Sequence, residues 1–263
     1  MGQYKLTQVT QVNTTSCTKK TCETCVIKLV KLVLKKILDS IINLFFPSVC
    51  ASCGTLLLKG EKTVCTTCRY LLPKTRYELN PDNPLMLNFS GQMPFNAVTA
   101  EFFFSKSGHV QTLIHGLKYH GAKENGIFLG QEIGKSIKQS PVFQGIDYII
   151  PIPLHPKKQK IRGYNQSMVI AQGIEEETGI PIAGNCLIRK VFTSTQTKKS
   201  REERWQNVKD IFAVVNASQL EGKHVLLVDD VLTTGATLMA AGKALYNVKD
   251  IKVSVATAAC ASG

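Results

Sequence analysis

The second half of the chain alternates continuous apolar runs with amphipathic stretches. From residue 145 onwards, the runs predicted as strands are IDYIIPIP, DIFAVV, HVLLVDD and IKVSVATAA. The stretches predicted as helices are NQSMVIAQGIEEETG and TGATLMAAGKALYN. Strands that are apolar throughout are typical of a parallel sheet buried on both faces. The pattern therefore predicts an α/β fold with a parallel twisted sheet flanked by helices.

The same domain extends towards the N-terminus. Residues 101–104, EFFF, are predicted as a strand, and the pattern from Gln111 to Lys138 is helical with a break near Gly121. We therefore assign residues 101–263 to the α/β domain. The preceding residues 76–100 are rich in proline and asparagine, which is typical of a linker and a domain entry.

The first 46 residues divide into two segments. Residues 1–25 are rich in Thr, Gln, Lys and Cys without an apolar period, which indicates a loose polar tail. Residues 26–46, VIKLVKLVLKKILDSIINLFF, predict an amphipathic helix with a basic face. Its recurring charges argue against a transmembrane span. Such a helix could lie on a membrane surface or pack on its own protein, and we favour packing.

The chain is strongly basic, with a net charge of +13 over 263 residues. Residues 1–75 carry 11 Lys or Arg and only 3 Asp or Glu. A surplus of this kind favours phosphate-rich partners such as nucleic acid or anionic lipid, although it also promotes solubility. The polar N-terminus lacks the apolar core of a signal peptide, and the cysteine pairs have metal-binding spacing. We therefore expect a reducing, cytoplasmic compartment.

The segment PSVCASCGTLLLKGEKTVCTTCRYLL contains four cysteines at the spacing C-x2-C-x11-C-x2-C, namely Cys50, Cys53, Cys65 and Cys68. Two such pairs can present four thiolates to one tetrahedral Zn²⁺. Four protein ligands leave no open coordination position, so the spacing indicates a structural ion. Residues 47–75 are too short to bury a sizeable core, and metal binding would supply their folding energy.

Residues 225–237, VLLVDDVLTTGAT, place two carboxylates at the end of a predicted central strand. Ligands of open α/β sheets bind beyond the carboxyl ends of such strands, where Asp229 and Asp230 stand. The following residues offer hydroxyls, backbone N–H groups and a close backbone approach for an anion: Thr233, Thr234, Gly235, Ala236 and Thr237. A ligand that fits both parts has a phosphate and vicinal hydroxyls, as in a ribose 5-phosphate. The lysine of a Walker A loop is absent.

This stretch resembles the phosphoribosyl pyrophosphate (PRPP) fingerprint of type I phosphoribosyltransferases, and the resemblance implies their fold. With the cysteine module, three further segments make residues 44–259 resemble the competence protein F family, which is associated with DNA uptake in bacterial transformation. These segments are LIHGLKYHG at 113–121, IIPIPLHPKKQKIRGYNQS at 149–167 and TSTQTKKSREERWQNVKDIF at 193–212. The resemblance implies that Asp229 and Asp230 contact the ribose and that residues 233–237 hold the 5-phosphate.

The resemblance places PIPLHPKK at the position of the pyrophosphate loop. Lys157 and Lys158 would then counter the pyrophosphate charge, with Arg162 nearby. A solvated basic loop is the alternative interpretation. Asn165 and Gln166 offer amides to a ligand, but helix capping would explain them as well.

Residues 193–209 resemble the mobile loop of phosphoribosyltransferases, which could close over PRPP and exclude water. The residues that match the family pattern are Thr193, Gln196, Arg201, Arg204 and Asn207. Lys198 and Lys199 with Arg201 could instead hold a polynucleotide backbone. Trp205 could stack on a base, although packing against the sheet is favoured.

Two functions are compatible with these features, because a fold does not decide a function. The first is a Mg²⁺-dependent phosphoribosyltransferase, in which Mg²⁺ bridges pyrophosphate and ribose hydroxyls and the acceptor stays open. Its catalytic residues would be Asp229, Asp230, Lys157, Arg162, Arg201 and Arg204. The second is a non-catalytic protein that binds PRPP and single-stranded DNA, alongside other DNA-uptake or recombination proteins. DNA would then contact either the zinc module or the loop at 193–209.

Overall fold

The computed structural model describes residues 27–28, 30–34, 47–106, 108–190 and 211–261. Its strands are β1 (Ala97–Phe104), β2 (Tyr148–Pro151), β3 (Leu187–Arg189), β4 (Phe212–Val214), β5 (His224–Leu232) and β6 (Lys252–Ala261). A parallel sheet forms the centre, in the order β1–β6–β5–β2. The predicted parallel sheet is therefore confirmed.

Helices cover both faces of this sheet. They are α1 (Thr66–Leu71), α2 (Pro84–Phe89), α3 (His109–Tyr119), α4 (Lys123–Gln139), α5 (Pro156–Arg162), α6 (Gln166–Thr178) and α7 (Ala236–Leu245). Short 3₁₀ turns lie at Tyr77–Leu79 and Ala217–Leu220. The predicted break between α3 and α4 is present, and α6 ends at Gly179, which adopts a left-handed φ of 75°. The predicted fold class, a parallel sheet between layers of helices, is confirmed.

The central strand β5 explains why its apolar run is continuous. Leu226 and Val228 belong to the core shared with α3, α4 and α6. Val225 and Leu227 belong to the core on the opposite face, which includes residues of α2 and α7. All four side chains are fully buried, since successive residues of a strand point to opposite faces and both faces are covered here.

In the predicted strand DIFAVV, residues Phe212–Val214 form β4, which lies outside the central sheet. Strand β4 pairs antiparallel with β3, so that Arg189 faces Phe212 and Leu187 faces Val214. Ala213 and Val214 are only partly buried. The pair lies beside the central sheet, and its buried residues Leu187 and Phe212 join the core on the face of the sheet that α2 and α7 cover.

Residues 76–100 carry more structure than their linker-like composition indicates. The buried Asn83 accepts a hydrogen bond from the backbone N–H of Leu85 at 3.0 Å and thereby caps α2. Its amide nitrogen donates to the carbonyl of Val98 in β1 at 2.9 Å. Proline stands in the first turn of α2, where no backbone donor is needed. Strand β1 begins at Ala97 rather than at residue 101.

A buried carboxylate ties the cysteine segment to the α/β domain. Glu132 of α4 is 2.6 Å from the Arg69 guanidinium, 3.2 Å from the Lys74 ammonium and 2.9 Å from that of Lys135. Burial raises the pKa of Glu132, but these three cations outweigh it and lower the pKa below its ordinary value. Lys74 also lies 2.7 Å from Glu101 of β1. Val49–Gly263 accordingly forms one compact unit.

Only part of the predicted amphipathic helix at 26–46 is described. Residues 27–28 and 30–34 are helical and exposed. The predicted polar tail at 1–25 lies outside the described residues. Within the described part of the chain, no helix is both long enough and apolar enough to cross a bilayer.

Candidate functional site

The aspartate pair lies towards the carboxyl end of the central strand β5. Both side chains are partly buried. Asp229 Oδ1 accepts a hydrogen bond from the Ser167 hydroxyl of α6 at 2.9 Å and another from the backbone N–H of Asp230 at 2.8 Å. The carboxylate of Asp229 is thus held in place by a helix on one side and by its own strand.

The site carries adjacent negative charges in a confined space. Burial, and then the neighbouring charge of Asp230, raise the pKa of Asp229 to about 6. The hydrogen bonds from Asp230 and Ser167 and the charge of Lys118 act in the opposite direction. The Lys118 ammonium lies 2.9 Å from Asp230 Oδ1. The sequence interpretation assigned no role to Lys118, although the segment LIHGLKYHG carried part of the resemblance.

Residues 233–237, here called the threonine loop, surround a small concavity beside the aspartates. Residues 231–238 and Asp229 line a concavity of about 30 Å³. Thr233, Thr234 and Thr237 are exposed around it. Gly235 immediately precedes α7 with φ 73°, and a Cβ there would lie 2.6 Å from Cζ of Phe89. The loop therefore needs glycine both for its left-handed backbone and for the ring packed behind it.

A cavity of about 530 Å³ joins the aspartates to a set of basic side chains. Asp229, Asp230, Thr233 and Thr237 form one part of its wall. The basic residues that line it are Lys118, Lys158, Arg162 and Arg189. The described acidic residues in the wall are the two aspartates alone, so the cavity is suited to an anionic ligand.

The predicted pyrophosphate segment meets this cavity with only some of its basic residues. Lys158 and Arg162 line the cavity, whereas the exposed Lys157 does not. The segment forms α5, in which successive side chains point in directions about 100° apart. The Arg162 guanidinium donates to Gln166 Oε1 at 2.8 Å and lies 5.7 Å from the centre of the Tyr119 ring.

The amides that follow Arg162 have structural partners. Asn165 Oδ1 accepts from the backbone N–H of Ser167 at 3.2 Å, and its Nδ2 donates to the carbonyl of Ile152 at 2.9 Å. Asn165 is therefore the cap of α6, as one of the two sequence interpretations predicts. Gln166 is buried and orients Arg162.

The predicted mobile loop at 193–209 falls outside the described residues. This applies to Thr193, Gln196, Lys198, Lys199, Arg201, Arg204, Trp205 and Asn207. The described chain on either side is held together, because Lys190 N–H donates to the carbonyl of Ile211 at 2.9 Å. Arg189, one residue before, lines the cavity. The described residues Lys190 and Ile211 are therefore next to a residue of the cavity wall.

The four predicted cysteine ligands come together away from the cavity. The sulfurs of Cys50, Cys53, Cys65 and Cys68 all lie within 4.8 Å of one another, an arrangement that could hold a metal ion. Backbone N–H groups point to the sulfurs, from Cys65 to Cys50 Sγ at 3.3 Å and from Cys68 to Cys65 Sγ at 3.4 Å. The Thr55 hydroxyl lowers the pKa of Cys53 to about 6, whereas burial raises that of Cys68 to about 12.

His109 supports this cluster from the first residue of α3. Its Nδ1 lies 2.6 Å from the Ser52 hydroxyl, which stands inside the first cysteine pair, and 3.9 Å from Cys68 Sγ. Nothing in the local sequence singles His109 out, since it is 41 residues away from Cys68. Side chains that contact metal ligands in this way orient them.

Part of the chain is similar to a known domain family and to several known proteins. Residues 166–261 match the family described as "Phosphoribosyl transferase domain". "Competence protein F" of Haemophilus influenzae is 39% identical over 108 residues, 40% of this chain and 47% of that protein. "DNA utilization protein YhgH" of Escherichia coli O157:H7 is 26% identical over 193 residues, 72% of this chain and 80% of that protein. The chain thus spans about half the length of the first of these relatives.

A solved structure of glutamine PRPP amidotransferase from B. subtilis is also similar to this chain. It is 22% identical, covers 55% of this chain and 30% of its own, and has a TM-score of 0.40. This similarity is too distant to bear on the function.

The raised pKa of Asp229 predicts that the substitution Asp229→Asn stabilises the protein at high pH. A raised pKa means that folding favours the neutral acid, so stability is lost as pH rises through about 6. Asparagine keeps an acceptor oxygen and removes the charge. We expect the free energy of unfolding to rise by about 1–2 kcal/mol at pH 8 and by less at pH 5. Urea unfolding at both pH values measures this.

Asp250→Asn is the matched control. Asp250 is exposed, and its left-handed backbone with φ 53° is one that asparagine adopts readily. Its substitution should leave the difference between pH 5 and pH 8 unchanged. An Asp229→Asn variant equally stabilised at both pH values, or not at all, would contradict the prediction.

Proposed function

We propose that this chain, a type I phosphoribosyltransferase-like protein related to competence protein F, binds PRPP in the cavity at the carboxyl end of β5. The observation that carries the proposal is the position of the aspartate pair. Asp229 and Asp230 share one cavity with the threonine loop and with the basic residues Lys158 and Arg162. In this proposal the aspartates bind the sugar of PRPP, the threonine loop binds the 5-phosphate and the basic residues bind the pyrophosphate.

The proposed roles follow from the donors and acceptors present. Carboxylates accept hydrogen bonds from the ribose hydroxyls, and Asp230 keeps an oxygen beyond the one paired with Lys118. The hydroxyls of Thr233 and Thr237 and the N–H groups at the start of α7 would bind the 5-phosphate. Lys158 and Arg162 would bind the pyrophosphate, with Arg162 already oriented by Gln166.

We further propose that the site supports displacement of pyrophosphate at ribose C1. The basic side chains stabilise the departing pyrophosphate, and the carboxylates favour positive charge that develops on the ring. Mg²⁺, which the family resemblance implies, would neutralise part of the phosphate charge, and the carboxylate donors at the cavity edge suit a Mg²⁺-bound sugar phosphate. The nucleophile that receives the sugar stays open. Arg201 and Arg204 would contribute from the segment outside the described residues.

PRPP binding predicts a ligand-dependent increase in thermal stability. At a PRPP concentration of one hundred times Kd, the free energy of unfolding should rise by about 2.7 kcal/mol. The double variant Asp229→Asn, Asp230→Asn should lose this increase, because amides do not replace two charged acceptors for the ribose hydroxyls. Thermal unfolding with and without PRPP, in the presence and absence of Mg²⁺, measures both effects.

Asp250→Asn again serves as the control and should respond to PRPP as the wild type does. The proposal fails if saturating PRPP with Mg²⁺ leaves the unfolding temperature of the wild type unchanged. It also fails if the double variant is stabilised as much as the wild type. Release of pyrophosphate upon addition of candidate acceptors would then separate a transferase from a protein that only binds PRPP.

We also propose that the four cysteines bind a structural Zn²⁺. The sulfurs converge, the donor set is the one that Zn²⁺ prefers, and the six cysteines within the described ranges are free thiols, in keeping with a reducing cytoplasmic compartment. We expect close to one zinc per chain after purification under reducing conditions. A chelator should release it and make residues 47–75 sensitive to protease, because the ion supplies much of their order. Absence of metal from such preparations would refute this assignment.

The second candidate function is the binding of single-stranded DNA. It could replace catalysis or accompany it. The net charge of +13 favours DNA binding, and so do the names of two relatives, "Competence protein F" and "DNA utilization protein YhgH". If Z phosphates are contacted, the logarithm of the affinity should fall against the logarithm of salt concentration with a slope of about −0.7Z. The double aspartate variant should bind DNA normally if the two sites are separate. A slope near zero would exclude electrostatic binding.

A further inference from the structure

Lys118 lines the cavity that holds the proposed sugar and pyrophosphate subsites. It belongs to the last turn of α3, and its side chain lines the cavity together with Lys158 and Arg162. We propose that Lys118 contacts the substrate directly, donating hydrogen bonds to the pyrophosphate of PRPP while it remains paired with Asp230. This inference rests on the proposed binding of PRPP, and it adds Lys118 to the residues that bind the ligand.

The backbone that carries Lys118 is fixed from two sides. The hydroxyl of Tyr164 donates to the carbonyl of Leu117, the residue immediately before Lys118. Asn125 of α4 donates to the carbonyl of Leu113, one turn earlier, at 3.0 Å. Leu113 and Leu117 are both fully buried. These contacts fix the backbone position from which the lysine side chain reaches the cavity.

The ammonium group has donors left for a ligand. A lysine ammonium carries three N–H donors, and the contact with Asp230 Oδ1 at 2.9 Å uses one of them. The charge of this ammonium also acts on the neighbouring Asp229, whose pKa it lowers. Two donors can thus face the cavity, where the anionic groups of PRPP would lie.

The burial of the pair makes its charge effective. The side chain of Lys118 is 21% exposed and that of Asp230 is 15% exposed, so water screens the charges only partly. A cation fixed between a sugar-binding carboxylate and a pyrophosphate group would attract both. It would thereby favour PRPP over ribose 5-phosphate, which lacks the pyrophosphate.

The comparison of these two ligands tests the proposal. We expect Lys118→Met to weaken PRPP binding about tenfold or more, since a hydrogen bond to a charged group is lost. Its affinity for ribose 5-phosphate should stay within about twofold of that of the wild type. Lys118→Gln keeps a donor for Asp230 but lacks the charge, and it should show the same selective loss. Calorimetric titration of both ligands in the presence of Mg²⁺ gives the affinities.

Lys243→Met is the matched control. Lys243 is the exposed lysine in the last turn of α7, so the variant reproduces the loss of a cation at a helix C-terminus without touching the cavity. It should bind both ligands as the wild type does.

Each outcome separates the inference from the proposed function. An equal loss for both ligands in the Lys118 variants would mean that the lysine acts only through Asp230, and the inference would fall. Unchanged affinity for PRPP would overturn it as well. A wild-type protein that binds neither ligand would instead refute the proposed function itself.

Discussion

The pairing of β5 with a parallel strand on each side is the constraint on which the site depends. Tyr148 to Pro151 pair with Val225 to Val228 on one edge, and β6 pairs along the other. Because helices cover both faces, the run from Val225 to Val228 is apolar and fully buried. The first position at which the strand can carry a charge is therefore its carboxyl end, and Asp229 and Asp230 occupy that position.

Adjacent carboxylates in such a place repel one another, and the surrounding structure limits the cost. Ser167 and the backbone N–H of Asp230 donate to Asp229, and Lys118 neutralises Asp230. These groups come from α6, from β5 itself and from α3. All three elements must therefore be packed in place before both aspartates can be ionised. The contacts that join these elements thus also set the charge at the end of the strand.

Local patterns predicted much of this molecule, and long-range contacts account for the rest. Continuous apolar runs predicted the parallel strands, and the cysteine spacing predicted which thiols converge. The roles of Lys118 and His109 were not predicted, because their partners Asp230 and Cys68 lie far away along the chain. A basic run likewise does not reveal that Lys158, and not Lys157, lines the cavity, since helix α5 decides that orientation.

Helix α3 connects two regions that have no other obvious relation. His109, its first residue, contacts Ser52 and Cys68 at the cysteine cluster, and Lys118, in its last turn, contacts Asp230. Nine residues of α-helix separate these ends by about 14 Å. The buried residues of this helix pack into the core along its length. A displacement of this helix along its axis would therefore alter the contacts of His109 and of Lys118 together.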